Sequence, residues 1–317
     1  MRAAVVDRYG GPEAVRVVEV PSPAAGKGEV LVRVTAAAVT SGDARIRAAS
    51  APRGFGSLVR LAFGVRGPRR QVLGGSLAGV VAEVGPGVAG FRPGDRVCAM
   101  TGIRMGAHAE FAVVPVARVV QVPAEVSDAD AAGVLFGGTT ALHFLRKGRV
   151  GAGSTVLVNG ASGAVGTNAV QLARNLGATV TAVTSGANAP LVTRLGAADV
   201  IDYNAQPVSG LAERGDRFDM VLDTVGNLDI KGGRQLLREG GTLGLVVATL
   251  GQMMRARGNV MAGSSGEKAD DFAELLALVA SGVLTVVHDQ AFPLEQIADA
   301  YHRVDSRHKV GNVIVTM

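Results

Sequence analysis

Apolar residues follow two different rhythms along this chain, and the change comes near residue 125. Before it, short valine-rich runs recur at residues 3–6, 15–20, 30–34, 79–84, 96–99, 109–114 and 119–122, with turn signals such as Pro86-Gly87 and Pro93-Gly94 between them. Strands this short and this regularly spaced predict a partly closed barrel. After it, Ser127 with Asp130 three residues on predicts the start of an alanine-rich helix. Strands at 154–159, 180–184, 200–203, 218–223 and 242–248 then alternate with helices at 165–176 and 190–195, which end at Gly177 and Gly196. Apolar runs joined by helices predict an α/β fold with a parallel sheet covered on both faces. Helices at 269–280 and 294–304 follow, and a closing strand at 310–315 is expected to rejoin the first part of the chain.

Composition narrows the class. The chain has 317 residues, 48% of them hydrophobic and 19% charged, which is a globular profile with room for two domains. Its 44 glycines fit many tight turns and close backbone approaches. The formal charge of +5 includes a concentration of arginines at 53, 60, 66, 69 and 70, read as a solvated loop. Cys98 is the single cysteine, so neither an internal disulfide nor a CxxC zinc site can form. The first eight residues are charged and lack an apolar core, and no apolar stretch reaches the roughly 20 residues a bilayer span needs. The expectation is a cytoplasmic protein without a membrane partner.

The strongest chemical signal is Asn159-Gly160-Ala161-Ser162-Gly163-Ala164-Val165-Gly166, with a strand before it and a helix after it. Small residues are needed there for three reasons: a sharp turn off the strand, close approach to a pyrophosphate, and tight packing of the helix on the sheet. The residue about 20 positions further on sets the ribose contact, and counting reaches Ser185. Thr184, Ser185 and Asn188 are neutral, with no carboxylate in that run to repel a 2′-phosphate, so NADPH is expected over NADH. No Arg or Lys lies in 186–191 to favour that phosphate, so NADH is also accommodated. Thr224 and Val225, and Val246 and Val247, stand at later strand ends that border the same crevice.

Several motifs together resemble the quinone oxidoreductase branch of the medium-chain dehydrogenase/reductase superfamily. They are the opening 1–6 with Tyr9 to Pro12, the stretches 73–85 and 91–97, Gly137-Gly138-Thr139-Thr140 with Ala141 and Leu142, the glycine turn, and 195–203. The resemblance implies a Rossmann doubly wound parallel sheet at residues 126–262. It also implies a GroES-like, β-barrel-type catalytic domain built from residues 1–125 and 263–317. A small-molecule substrate would enter the cleft between them, and a homodimer would form through the Rossmann domain. Thr140 and Tyr203 match residues near the nicotinamide and the 2′-phosphate, whereas Asn312 stands where many relatives carry a lysine. Zinc-dependent relatives carry a ligating cysteine where this chain has Thr40, and Gly-His-Glu where it has Gly74-Gly75-Ser76. No zinc is therefore expected, and Thr40 and Arg45 become the candidate catalytic contacts.

The resulting expectation is an NADPH-dependent, zinc-independent reductase of quinones or α,β-unsaturated carbonyls. Two alternatives stay open: a non-catalytic nucleotide- or RNA-binding protein on the same fold, and a zinc-free alcohol dehydrogenase. Nucleic acid is disfavoured because no basic patch is interleaved with aromatics.

Overall fold

The computed structural model of the protein describes residues 1–50 and 52–317. The first part of the chain forms β1 (Arg2–Val6), β2 (Val15–Glu19), β3 (Glu29–Val39), α1 (Ser41–Ala48), α2 (Gly56–Phe63), β4 (Ser76–Val84), β5 (Arg96–Met100), β6 (Phe111–Pro115) and β7 (Val119–Gln121). The eleven-residue β3 organises them. One edge pairs with β4; the other pairs with β6 at Glu29 to Arg33 and with a C-terminal strand at Ala36 to Val39. One long strand with two successive partners on one side curls the sheet towards a barrel. Its inside is filled by Val30, Val32, Val34, Leu77, Val81, Val97, Ala99 and Val114.

After α3 (Asp128–Lys147) the chain runs through β8 (Thr155–Asn159), α4 (Ala164–Asn175), β9 (Thr179–Thr184), α5 (Ala189–Leu195), β10 (Asp199–Asp202), β11 (Phe218–Asp223), α6 (Ile230–Gln235), β12 (Leu237–Leu245), α7 (Leu250–Arg255) and β13 (Val260–Ala262). These strands form a parallel sheet in the order β10-β9-β8-β11-β12-β13. That is a doubly wound sheet, and its order reverses between β8 and β11, where such folds open their ligand crevice. Alternate residues serve two cores, as the apolar runs predicted. Val156, Val158, Val180, Ala182, Met220 and Leu222 face one, and Leu157, Val183, Val221, Leu243 and Leu245 face the other.

The chain closes with α8 (Ala269–Ala280), β14 (His288–Pro293), α9 (Ile297–Asp305) and β15 (Asn312–Thr316). β14 and β15 extend the first sheet through β3, as expected of the final strand. α8 packs instead on the parallel-sheet side, where Phe272, Leu275 and Leu276 join the first core.

α3 binds the two sheets together. Its N-terminus is capped by Ser127, whose oxygen accepts the Asp130 amide at 3.1 Å, as the spacing predicted. Leu135, Leu142, Phe144 and Leu145 share one core with Ala36, Ala38, Ala78 and Met100 of the first sheet and with Val158 and Leu222 of the second. A Cβ on Gly137 would lie 2.3 Å from Ala164 O, so α3 can approach the start of α4 closely only as glycine. No helix among the described residues is long and apolar enough to cross a membrane.

Candidate active site

β8 ends at Asn159 and the chain turns at Gly160, where φ is +83°. A Cβ there would meet Thr224 Oγ1 at 2.5 Å and Val225 Cγ2 at 2.7 Å, so backbone angle and neighbours both require glycine. The amides of Gly160 and Ala161 donate to Val183 O at 3.1 and 3.0 Å, which ties the turn to β9. Gly163 caps α4 in extended conformation with no side-chain bond. The amides of Ala164, Val165 and Gly166 then open the first turn of a twelve-residue helix, where they have no acceptor within the helix. Such a turn carries positive partial charge and accommodates a pyrophosphate. A Cβ on Gly163 would touch only Gly160 O, at 3.5 Å, so the space outside Gly163 is open. The turn is therefore a built cradle that fits a dinucleotide.

Neighbouring strand ends hold this cradle. Asn159 is buried; its amide donates to Asp223 Oδ1 at 2.9 Å and to Asn227 Oδ1 at 2.6 Å. Thr224 donates its hydroxyl to Asn159 O at 2.7 Å, and Val246 donates its amide to Asp223 O at 2.9 Å. A Cβ on Gly226 would reach Val247 at 2.9 Å, so the loops after β11 and β12 touch. Asn159, Thr224, Val225, Val246 and Val247 thus converge at the carboxyl edge of the sheet. Asp223, which sequence reasoning left out of the site, is the group that organises them.

At the other side of the turn, Thr184 donates its hydroxyl to Ser162 Oγ at 2.9 Å, and the Tyr203 amide donates to Thr184 O at 3.1 Å. Ser185 and Asn188 are half-buried, and Tyr203 is 47% exposed. Counting along β9 finds no carboxylate, yet Asp202 at the end of β10 points its Oδ2 to within 2.6 Å of a Cβ on Gly186. The carboxylate comes from the neighbouring strand, which linear spacing cannot see.

The C-terminal segment clasps the turn from outside. Gly311 donates its amide to Ser162 O at 2.8 Å, and Lys309 Nζ donates to Gly311 O at 2.6 Å. Burial lowers the Lys309 ammonium from its ordinary pKa of 10.5 to about 8, although Asp289 pulls the other way. Asn312 is buried, with its amide on Val287 O at 3.0 Å, and so braces the turn into β15.

The first sheet supplies the facing wall. Thr40 caps α1 in a complete capping box: Thr40 Oγ1 accepts the Asp43 amide at 3.2 Å and donates to Asp43 Oδ2 at 2.6 Å, and the Thr40 amide donates to the same oxygen at 2.8 Å. Asp43 is buried, and its Oδ1 lies 3.9 Å from a Cβ on Gly75. Ser76 Oγ is buried without a partner. Phe136 of α3 lies 3.8 Å from a Cβ on Gly42, which brings α3 alongside Thr40. Thr140, one turn further along α3, donates its hydroxyl to Phe136 O at 2.8 Å.

Arg45 lies in the second turn of α1. Its charged neighbour is Arg307, and burial first, then that like charge, lowers its guanidinium below the ordinary range. Behind Thr40, His108 is fully buried, with Nε2 3.1 Å from Ala38 O and Nδ1 3.3 Å from Tyr301 Oη. A carbonyl can only accept, so Nε2 carries the proton and Tyr301 donates to Nδ1. The arginine-rich stretch expected as a loop contains α2.

Known proteins share this architecture. Residues 26–124 match the alcohol dehydrogenase GroES-like domain, and residues 195–315 match the zinc-binding dehydrogenase family. A chloroplastic quinone oxidoreductase, QR1, from Triphysaria versicolor is 30% identical, over 99% of this chain and 98% of its own. The acryloyl-coenzyme A reductase of Metallosphaera sedula is 31% identical over the whole of both chains. The solved quinone oxidoreductase from Coxiella burnetii superposes with a TM-score of 0.89 at 26% identity, covering 100% of this chain and 99% of that one. A mycobacterial protein solved in complex with NADPH gives 0.83 at 29% identity over the full length of both. With a nicotinamide-type cradle at the switch point of the sheet and full-length likeness on both sides of it, the chain belongs to the medium-chain dehydrogenase/reductase superfamily, as an NAD(P)H-dependent oxidoreductase of quinone oxidoreductase-like type.

Proposed function

We propose that the protein is an NADPH-dependent, zinc-independent reductase of quinones or α,β-unsaturated carbonyl compounds that also accepts NADH. The observation that carries this reading is the wall around Asp43. It consists of a threonine hydroxyl already engaged by Asp43, no side chain at Gly75, and a hydroxyl at Ser76. Zinc is held by thiolates, imidazoles and carboxylates, and this set supplies none at those three positions. Polarisation of the substrate oxygen then falls to hydrogen-bond donors, which suffice for an electron-poor alkene or quinone. When bound, the reduced nicotinamide supplies the hydride. Thr40 borders the substrate or the nicotinamide, and Arg45, on the helix that Thr40 caps, is the candidate cation for an oxygen that gains charge. Relatives named as quinone oxidoreductase and acryloyl-coenzyme A reductase cover both electrophile classes.

The test is NADPH consumption with a panel of quinones, enones and saturated ketones, before and after dialysis against a chelator. Turnover of the first two groups, unchanged by the chelator, is expected. Silence across the panel overturns the reading, and loss of activity on chelation overturns zinc independence.

Support for NADPH comes from the neutral Thr184, Ser185 and Asn188, with Tyr203 beside them, and Asp202 acts against it. Two like charges about 4 Å apart repel by roughly 1 kcal/mol in water. Replacing Asp202 with serine is therefore expected to raise the NADPH-to-NADH ratio of kcat/KM by about five- to thirtyfold, since the phosphate brings up to two charges. An unchanged ratio would place the 2′-phosphate away from β10.

We further propose two domains, residues 1–125 with 263–317 and residues 126–262, in a cytoplasmic homodimer. The parallel sheet offers the contact surface for it, because β13 pairs with β12 on one side only.

A further inference from the structure

A second concavity, of about 610 Å³, lies between α6 and α7. Lys231, Arg234 and Arg255 line it, with Asp229 as the single acid. Some surface arginines are paired with acids: Arg146 with Asp271 and Glu274, Arg303 with Asp289, Arg2 with Glu110. Among the described residues, none of the three cations here has such a partner. Asp229 Oδ1 is taken up by the Gly232 amide at 2.6 Å. Three cations against one carboxylate leave the lining with an excess of two positive charges. Like charges gathered round one hollow repel unless an anion joins them, and guanidinium forks match phosphate oxygens.

The walls are fixed and they adjoin the crevice. Gln252 donates to Leu228 O at 3.0 Å, and Leu228 donates its amide to Asp223 Oδ2 at 3.1 Å. Thr249 caps α7 in a full capping box with Gln252, directly after the strand end at Val247 and Ala248. At 1.5 Å per residue, Arg255 lies about 9 Å along the helix from that cap. The Leu250 amide donates to Arg53 O at 3.0 Å, so the first turn of α7 is where the two sheets' loops meet. These helices follow β11 and β12, on the far side of the glycine turn from Ser185 and Tyr203. The cofactor's own ribose phosphate belongs to that other side.

We infer that this cavity holds the phosphate-bearing tail of a substrate whose reactive end lies in the crevice, so that the activated alkene is presented as a thioester of a phosphorylated carrier. The inference rests on the reductase reading above and narrows its substrate class. The experiment compares one enoyl group carried on coenzyme A with the same group on N-acetylcysteamine, which has no phosphate. Both are assayed beside a quinone in the native protein and in an Arg234→Ala/Arg255→Ala variant.

The native protein is expected to prefer the coenzyme A ester by at least about tenfold in kcat/KM, and the variant to lose that preference through KM with kcat unchanged. Quinone and truncated-ester rates should be the same in both proteins. Adenosine 3′,5′-bisphosphate should bind the native protein and not the variant, and inorganic phosphate at equal concentration should compete poorly. Equal use of the two esters by the native protein, or equal loss of both in the variant, overturns the inference and leaves the reductase reading standing. If no ester or quinone is turned over, that reading fails, and bisphosphate binding alone decides the cavity: no binding overturns it.

Discussion

Gly166→Ala is expected to weaken nicotinamide dinucleotide binding by at least about a hundredfold and to lower the melting temperature, while Gly163→Ala leaves the melting temperature unchanged. The difference follows from what each new methyl meets. At Gly166 it would sit 2.1 Å from Gly160 O and 2.6 and 2.7 Å from Ala161 Cα and C. All three are backbone atoms of the turn, so relief requires moving α4 off the turn or opening the turn itself. Overpacking of this kind costs about 1–3 kcal/mol, or roughly 2–12 °C in a chain of this size. The larger effect is on binding, because the displaced atoms are those that aim the first-turn amides. At Gly163 the backbone is extended, with φ −78° and ψ 173°, and the methyl would meet only Gly160 O at 3.5 Å. The protein has room for it, but it would project towards the approaching phosphates, so about tenfold weaker binding is expected with no change in stability. Thermal melts with and without cofactor separate the two effects, since a ligand that binds only the folded state raises the melting temperature by mass action. Undiminished cofactor stabilisation in Gly166→Ala would remove the turn from the site.

The turn was legible in the sequence because its signal is local: a strand, glycines at fixed spacing, and a helix within twelve positions. The doubly wound sheet was legible for a similar reason, since each buried strand is a short apolar run. What was missed came from neighbours across the fold or from elements too short or too polar to stand out. Asp202 reaches Gly186 from the adjacent strand. β13, at three residues, was invisible as a run. β12 was expected over 242–248 and instead spans Leu237–Leu245. It begins in the polar Arg238-Glu239-Gly240, and its pairing with β11 is irregular between Phe218 and Met220. Thr40 shows a different failure. Its place in a ligand position drew a chemical reading, while Thr40 and Asp43 three apart also carry a helix-start signal that went unread. The structure realises that signal as the capping box of α1. The same hydroxyl can hold the wall of a site without being free to act in it.

Asp223→Ala is expected to be the most damaging single change at the strand ends, lowering stability by about 3 kcal/mol or more and abolishing cofactor binding. The carboxylate is fully buried, and four donors converge on it. Oδ1 accepts from Asn159 Nδ2 at 2.9 Å and from the amides of Val225 and Gly226 at 3.0 and 3.1 Å, and Oδ2 accepts from the Leu228 amide at 3.1 Å. Water can replace the partner at Val225 and Gly226, which are exposed, but not at Asn159 and Leu228, which are buried. An orphaned buried donor costs about 1–3 kcal/mol, so two account for the expected loss, equivalent to roughly 6–12 °C in melting temperature. The consequence for binding is geometric. The loop that Asp223 folds carries Thr224 onto Asn159 O and lays Gly226 against Val247, so without it both walls of the crevice lose their registration. Asp223→Asn is the discriminating companion. It retains one acceptor oxygen for Asn159 and the Val225 and Gly226 amides but turns an NH₂ towards the Leu228 amide. About half of the stability loss and a measurable residual affinity are expected. If Asp223→Ala melts with the native protein and still binds cofactor, the loop is held by its other contacts, and the carboxylate is a passenger in the crevice it lines.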